Sequence, residues 1–339
     1  MGREDDGIVV AARGGDESAF AVLVERHRGE LLVHCYRMLG SFTEAEDLVQ
    51  ETFLRAWKNL DGFEGRSTVR AWLYRIATNA CLDVLAVRER RVLPDDLAGP
   101  SAANLAARPD IPWLQPFPDR LCEPDSALVD KETLELAFLA AIQHLPPRQR
   151  AVFILRDVLA WSARQTAELL ECSVASVNSA SQRARATMRE HLPERRLEWA
   201  PSPEPTEQER TVLRRYMDAM ARADLAAVAD LLADDVRTMM PPWPMWLQGR
   251  EAVVAALATS WDAGSPGYLG RMRMLPTRAN RQPAAATYVR RLDDAAYEAF
   301  AISVLRIEDD RITAVTAFHD LRLFPAFALP MTLPPPTHR

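Results

Sequence analysis

Leu145-Pro-Pro-Arg-Gln-Arg-Ala-Val-Phe153, Ala163-Arg-Gln-Thr-Ala-Glu-Leu-Leu170, Glu171-Cys-Ser173 and Val174-Ala-Ser-Val-Asn-Ser-Ala-Ser-Gln-Arg-Ala-Arg185 together decide the fold of this half of the chain. The proline pair opens a helix, because a proline in the first turn brings a fixed φ and gives up an N–H that has no partner there. A short helix follows over 163–170. After a break of three residues, a longer helix runs from about Val174 to His191. A short helix, a tight turn and a second helix is the spacing of a helix-turn-helix, in which the second helix enters the major groove. Ala167, Leu170, Val174 and Val177 fall on the inner face, and Asn178, Ser179, Gln182, Arg183 and Arg185 on the outer one. Asparagine and glutamine pair with adenine, whereas arginine pairs with guanine or clamps phosphate. The competing reading is an ordinary three-helix bundle with solvated arginines.

Upstream, residues 8–90 are helical in pattern throughout. Phe20, Leu23, Val24, His27 and Leu31 make one amphipathic face. Thr43 and Glu46 have the spacing of a capping box, and the helix it opens has the stripe Ala45, Leu48, Val49, Thr52, Phe53 and Ala56. Asp47, Gln50, Glu51 and Leu54 lie off that stripe. Acidic groups around a leucine form a patch suited to a basic partner helix; the alternative is a solvated face with Glu51 and Arg55 as a surface pair. A third helix from about Ser67 carries Val69, Trp72, Leu73, Ile76, Ala80 and Val84, with Arg75, Asn79 and Asp83 four apart on its polar side.

Between the helical blocks, Pro94, Pro100, Pro109, Pro112, Pro116, Pro118 and Pro124 forbid a continuous helix and predict an extended linker. Its Trp113, Leu114 and Phe117 are unusual for a spacer. They imply that it packs on a neighbouring domain or lies in a partner's channel. Pro201, Pro203 and Pro205 mark a second boundary. Beyond it come helices over 212–220, 225–232 and 251–261, then strand-like runs over 286–292, 298–307 and 312–318, the last two joined at Asp309-Asp310. The fold class is therefore multidomain, with two all-α domains followed by an α+β cone. The expected boundaries are 8–91, a linker over 92–129, then 130–196 and 207–330.

The 339 residues are 48% hydrophobic and carry a net charge of −6. Such a chain fills several cores, and DNA contact must come from local basic faces. Four scattered cysteines (Cys35, Cys81, Cys122, Cys172) argue against a disulfide scaffold or zinc ribbon. No phosphate-binding glycine loop, nucleophile triad or metal spacing is seen, so no cofactor or metal is expected. The polar N-terminus and the lack of a long apolar run predict no membrane association and a cytoplasmic location.

The helix-turn-helix stretch resembles the fourth conserved region of sigma factors of the extracytoplasmic-function type. Glu46-Asp47-Leu48-Val49-Gln50-Glu51-Thr52-Phe53 and Trp72-Leu73-Tyr74-Arg75-Ile76-Ala77-Thr78-Asn79 resemble their second region. The resemblance covers about residues 8–192. It implies that the Asp47, Gln50, Glu51 and Leu54 face grips the clamp of core RNA polymerase. It also implies that the fourth region reads the minus-thirty-five promoter element and touches the polymerase flap, while the loop around Phe63 and the Asn79 side chain capture a base flipped from the minus-ten element and arginines such as Arg75 hold the single-strand backbone. An extruded base needs an apolar wall and an amide for its edge. The linker would then run through the polymerase near the RNA exit path. Residues 207–330, with Gln248-Gly249-Arg250-Glu251-Ala252 and His319-Asp320, resemble the SnoaL-like (NTF2-like) cone. Trp243, Trp246, Tyr288, Asp235 and His319 are candidates to line a pocket for a small molecule, with a purely structural His319 as the alternative. The expected function is a non-enzymatic sigma factor regulated by its third domain. The alternatives are a sigma factor fused to a small-molecule-converting enzyme, or a helix-turn-helix repressor.

Overall fold

The structure is a computed structural model, and it describes residues 2–63, 65, 67–101, 106–121, 134–192, 205–292 and 294–335. Cys122, Pro124, Pro201, Pro203 and the predicted start of the second helical block at 130 lie outside the described residues. The chain divides into two compact units, Met1–Arg91 with Leu121–Pro201, and Val92–Arg120 with Ser202–Arg339.

The first unit is helical. Helices α1 (Gly2–Arg13), α2 (Glu17–Leu39), α3 (Phe42–Lys58) and α4 (Val69–Val87) form its amino-terminal part. Gly40 ends α2 in the left-handed conformation (φ 67°), its N–H returning to the Tyr36 carbonyl. The cap of α3 is a correction to the sequence reading. Ser41, not Thr43, accepts the Glu44 N–H at 3.4 Å, so the helix begins one residue before the expected box. Glu30 of α2 ties this part together, accepting from Arg70 Nε at 2.6 Å, His27 Nδ1 at 2.7 Å and the Tyr74 hydroxyl at 3.3 Å. Burial raises the Glu30 pKa, but the bonds to His27 and Arg70 outweigh it and hold the carboxyl below its ordinary value.

Helices α5 (Leu136–Gln143), α6 (Pro147–Phe153), α7 (Ala163–Leu169) and α8 (Val174–His191) form the carboxy-terminal part, with one π-turn segment, Ile154–Val158, continuing α6. Arg150 is 2% exposed and joins the two parts. It donates to Gln143 Oε1 (2.7 Å), the Gln143 carbonyl (2.9 Å), the Leu145 carbonyl (3.1 Å) and, from α2, the Met38 carbonyl at 2.5 Å. Burial lowers its pKa to about 10, which leaves it charged at neutral pH.

The second unit is a curved sheet covered by helices α9 (Glu207–Arg222), α10 (Leu225–Leu231) and α11 (Arg250–Trp261). Its strands are β1 (Leu232–Met239), β2 (Trp246–Gln248), β3 (Arg271–Ala279), β4 (Gln282–Arg290), β5 (Tyr297–Glu308), β6 (Arg311–Phe318) and β7 (Thr332–Leu333). Their order is β2-β1-β6-β5-β4-β3, with β7 on β5 and only the β1–β6 pair parallel. Val212, Tyr216 and Met220 of α9 and Val253 of α11 pack on Met272, Met274, Ala285, Val289, Leu305 and Val315 to fill the concave side. Asp309 and Asp310 turn the β5–β6 hairpin with both φ positive, as expected at that dipeptide. Strand β3 escaped the sequence reading because Pro276 interrupts the polar–apolar alternation that Arg271 to Met274 begin.

Candidate functional site

On α3, Ala45, Val49, Thr52, Phe53 and Ala56 are buried, which turns Asp47, Gln50 and Leu54 outward. Leu54 is 54% exposed, an apolar side chain held in water by the burial of its neighbours. Glu51 is half-buried and accepts from Arg55 at 2.8 Å. Trp57 is part of this face and was missed by the sequence reading. It is 37% exposed and packs edge-on to Phe20 at 4.8 Å. Its position three residues after Leu54 and off the stripe was the available signal.

Helix α4 is capped by Thr68, which accepts the Ala71 N–H at 3.2 Å. Trp72, Leu73, Tyr74, Ala77 and Ala80 face inward, and Arg75, Asn79 and Asp83 are exposed on one side. Phe63 points inward in this structure. Its ring is 5.0 Å from that of Trp72 and 6% exposed, and its carbonyl is held by Arg13 of α1. In this form Phe63 is a wall of the core and presents no face to a base. Arg75 lines a cleft of about 420 Å³ whose other residues include Arg70, Trp161, Gln165 and Glu168. Trp161 closes its floor, 5.4 Å from the Tyr74 ring and within 5.8 Å of the Arg70 guanidinium carbon.

The helix-turn-helix is closed by reciprocal capping at Ser162 and Gln165 and by Ser173 at the start of α8. Its small core is Val152, Ala167, Val177 and Ala180, with Leu170 against it. Val174, expected inside, is 43% exposed, because the first residue after the cap lies beyond the edge of the α7 contact. Ala180 fills the inner face in its place. Asn178, Ser179, Gln182, Arg183 and Arg185 are all exposed along α8. Arg185 is held by Asp157 at 2.6 Å.

In the second unit the five candidate pocket residues do not form one site: Trp243 and His319 meet, and the others lie apart. His319 stands edge-on between Trp243 (4.8 Å) and Phe300 (4.7 Å), with a buried Nδ1 that has no hydrogen-bond partner. Burial lowers its pKa to about 4 despite a favourable bond with the Phe300 backbone. Tyr288 is elsewhere: fully buried, donating to the Pro330 carbonyl at 2.9 Å and packed on Phe324. A bulge between Thr287 and Tyr288 breaks the β4–β5 register at that point. Asp235 is exposed on β1, and Trp246 is buried with its indole N–H donated to the Ala98 carbonyl.

That last bond belongs to a set that fastens the linker to the cone. Ser101 N–H donates to the Trp246 carbonyl (2.9 Å), and Arg108 N–H to that of Pro242 (2.9 Å). At the β3–β4 turn the Asn280 N–H donates to the Phe117 carbonyl and the Phe117 N–H to Asn280 Oδ1, both at 2.9 Å. The Arg281 N–H donates to Asp119 Oδ1 at 2.8 Å, and Arg120 Nε to the Ala326 carbonyl at 2.5 Å. Leu114, Phe117 and Asp119 are buried beneath these contacts. The linker aromatic Phe117 thus packs on the cone.

Among the described residues no group of His, Cys, Asp and Glu is placed to hold a metal, and no helix is long and apolar enough to cross a membrane. Residues 23–91 match the Sigma-70 region 2 family, 135–188 the Sigma-70 region 4 family and 213–315 the SnoaL-like domain family. The chain is 43% identical to the ECF RNA polymerase sigma factor SigG of Mycobacterium tuberculosis over 96% of its length and 89% of that protein's. It is 33% identical to the ECF RNA polymerase sigma factor SigW of Bacillus subtilis over 52% of this chain and 91% of that one. The crystal structure of the M. tuberculosis extracytoplasmic function sigma factor SigJ shares the fold, with a TM-score of 0.60 over 92% of this chain and 99% of that one at 22% identity.

Proposed function

The chain belongs to the extracytoplasmic-function (ECF) family of RNA polymerase sigma factors, and on that premise we propose how its surfaces divide the work of initiation. Asp47, Gln50, Glu51 and Leu54, extended by Trp57, bind the clamp of core polymerase. Asn178, Ser179, Gln182, Arg183 and Arg185 dock in the major groove of the minus-thirty-five element, and Arg75 and Asn79 engage the melted minus-ten strand. The observation that carries this assignment is the outward display of the α3, α4 and α8 polar residues over buried apolar stripes. The site of action is the cytoplasm.

The first unit is in a closed state. The Arg150–Met38 bond and the seating of Trp161 on Tyr74 and Arg70 hold the fourth-region helices against the second-region helices. Promoter binding at two separated elements requires these contacts to open. Phe63 leaves Trp72 in the same transition and becomes available to a flipped base.

The cone regulates by holding the linker. The resemblance sets that linker inside the polymerase, so the bonds at Trp246, Pro242, Asn280 and Arg281 compete with core for the same segment. Catalysis by the cone has less support, because the one candidate carboxylate, Asp235, is exposed on β1 while His319 stands between two aromatic rings. The test is run-off transcription and core-binding affinity for the full chain against a chain ended near Pro201. Tighter core binding by the shortened chain is expected. Equal affinity and yield, with turnover of a metabolite by the cone, would install the fused-enzyme reading instead.

A further inference from the structure

Where the linker meets the cone there is a pocket of about 340 Å³, apart from the aromatic cluster around His319. Pro118 and Arg120 come from the linker. Pro205, Arg210, Leu213, Pro276, Thr277, Arg278, Pro283 and Phe327 come from the cone. At about 30 Å³ per water-sized group, this volume takes roughly eleven such groups. Four proline rings, a leucine and a phenyl ring make its walls, and three guanidinium groups stand among them with no carboxylate in the lining. Arg120 is anchored through Nε on the Ala326 carbonyl and meets no acidic group among the described residues. Arg210 is anchored through Nε on Glu207 and through Nη1 on the Pro205 carbonyl. Both heads are thus fixed in orientation while terminal N–H groups stay available.

Positively charged forks over flat apolar walls select an anion with a ring or short apolar body. Guanidinium binds a carboxylate through two parallel N–H bonds and also stacks on an aromatic face. A bare anion leaves the proline and phenyl walls wet, and a neutral ring offers no charge to the Arg120 guanidinium.

We propose that this seam is a binding site for a small aromatic carboxylate, and that its occupation fastens the linker to the cone. The second half rests on the reading above that the cone controls the linker, whereas the binding itself does not. A ligand touching both Arg120 and Arg210 adds affinity only to the fastened state and so shifts the population toward it. The expected physiological sense is repression by an aromatic acid.

The probe is 2-naphthoate, titrated into the full-length protein by calorimetry, with 2-naphthylmethanol and inorganic phosphate as controls. Naphthoate is expected to bind at least tenfold more tightly than either control. Arg120→Gln and Arg210→Gln, both exposed positions, should each weaken it at least fivefold with unchanged circular dichroism. Hydrogen exchange at the Phe117 and Arg281 amides should slow on saturation. Naphthylmethanol binding as tightly as naphthoate, or both variants binding like wild type, would overturn the site. Phosphate binding as tightly as naphthoate would also overturn it, leaving only a bare anion patch. Binding with unaltered exchange at both amides would overturn the fastening but leave the clamp and promoter assignments untouched. Loss of the transcription reading with binding intact would separate the two in the other direction.

Discussion

Replacing Asn280 with glycine isolates the contact that holds the linker. Asn280 is fully buried at φ 57°, and its Oδ1 accepts the N–H of Phe117, itself fully buried. Alanine would confuse two effects, because its Cβ is disfavoured in the left-handed region by roughly 1–2 kcal/mol. Glycine takes that conformation freely, so the effect comes from the loss of the side chain that carries the acceptor. A buried N–H left without a partner costs about 1–3 kcal/mol, and the cost falls on the fastened state alone because water satisfies Phe117 once the linker lifts. At about 1.4 kcal/mol per factor of ten, the opening constant of the linker should rise roughly 5- to 140-fold. The reporter is the Arg281 amide, which donates to Asp119 of the linker and is not altered by the substitution. Its hydrogen exchange, measured in the opening-limited equilibrium regime, should accelerate by the same factor, and affinity for core polymerase should rise in the same direction. Unchanged exchange at Arg281 would refute the reasoning, since it would mean that Asn280 does not hold Phe117 or that residues 117 and 119 do not lift together.

Asp47→Arg combined with Gln50→Ala should abolish core binding in a pull-down while shifting stability by only about 0.5 kcal/mol, because both side chains are exposed. Arg183→Ala should lower the slope of log affinity against log salt for duplex promoter DNA by about 0.9, whereas Arg185→Ala should act less, since release from Asp157 offsets part of its gain. Arg150→Met removes a buried cation that bridges α2 to α5 and α6. It should cost the first unit about 1–3 kcal/mol by denaturant titration, through buried carbonyls left without a donor, and loosen it in small-angle scattering, and a near-neutral result would deny the latch. His319 has a folded pKa of about 4 against an ordinary 6.5, so its neutral form is the one the fold favours. The cone's stability from this group is present above pH 6.5 and lost as pH falls toward 4, up to about 3 kcal/mol by linkage. His319→Gln should flatten that slope in unfolding curves at pH 7 and 5.

The elements, caps and faces of this protein are largely written in local spacing. Asp47, Gln50 and Leu54 are outward because Ala45, Val49 and Phe53 are apolar at the complementary turn of the same helix, and Asn79 and Arg183 follow the same rule. Ser162 and Gln165 close α7, and Asp309-Asp310 closes a hairpin, through interactions spanning a few residues. Such relations need no knowledge of the rest of the chain, which is why periodicity and capping chemistry reveal them. The tertiary structure alone decided the others. Phe63 is a core wall because Arg13, fifty positions earlier, grips its carbonyl. Tyr288 is taken by the Pro330 carbonyl and the Phe324 ring, which no pattern in β4 announces. The linker belongs to the cone because Phe117 meets Asn280 across 163 positions, and Arg150 is a latch only because Met38 offers a carbonyl from another helix bundle. Each of these depends on which distant surface reaches a polar group first, and the local chain carries no record of that competition.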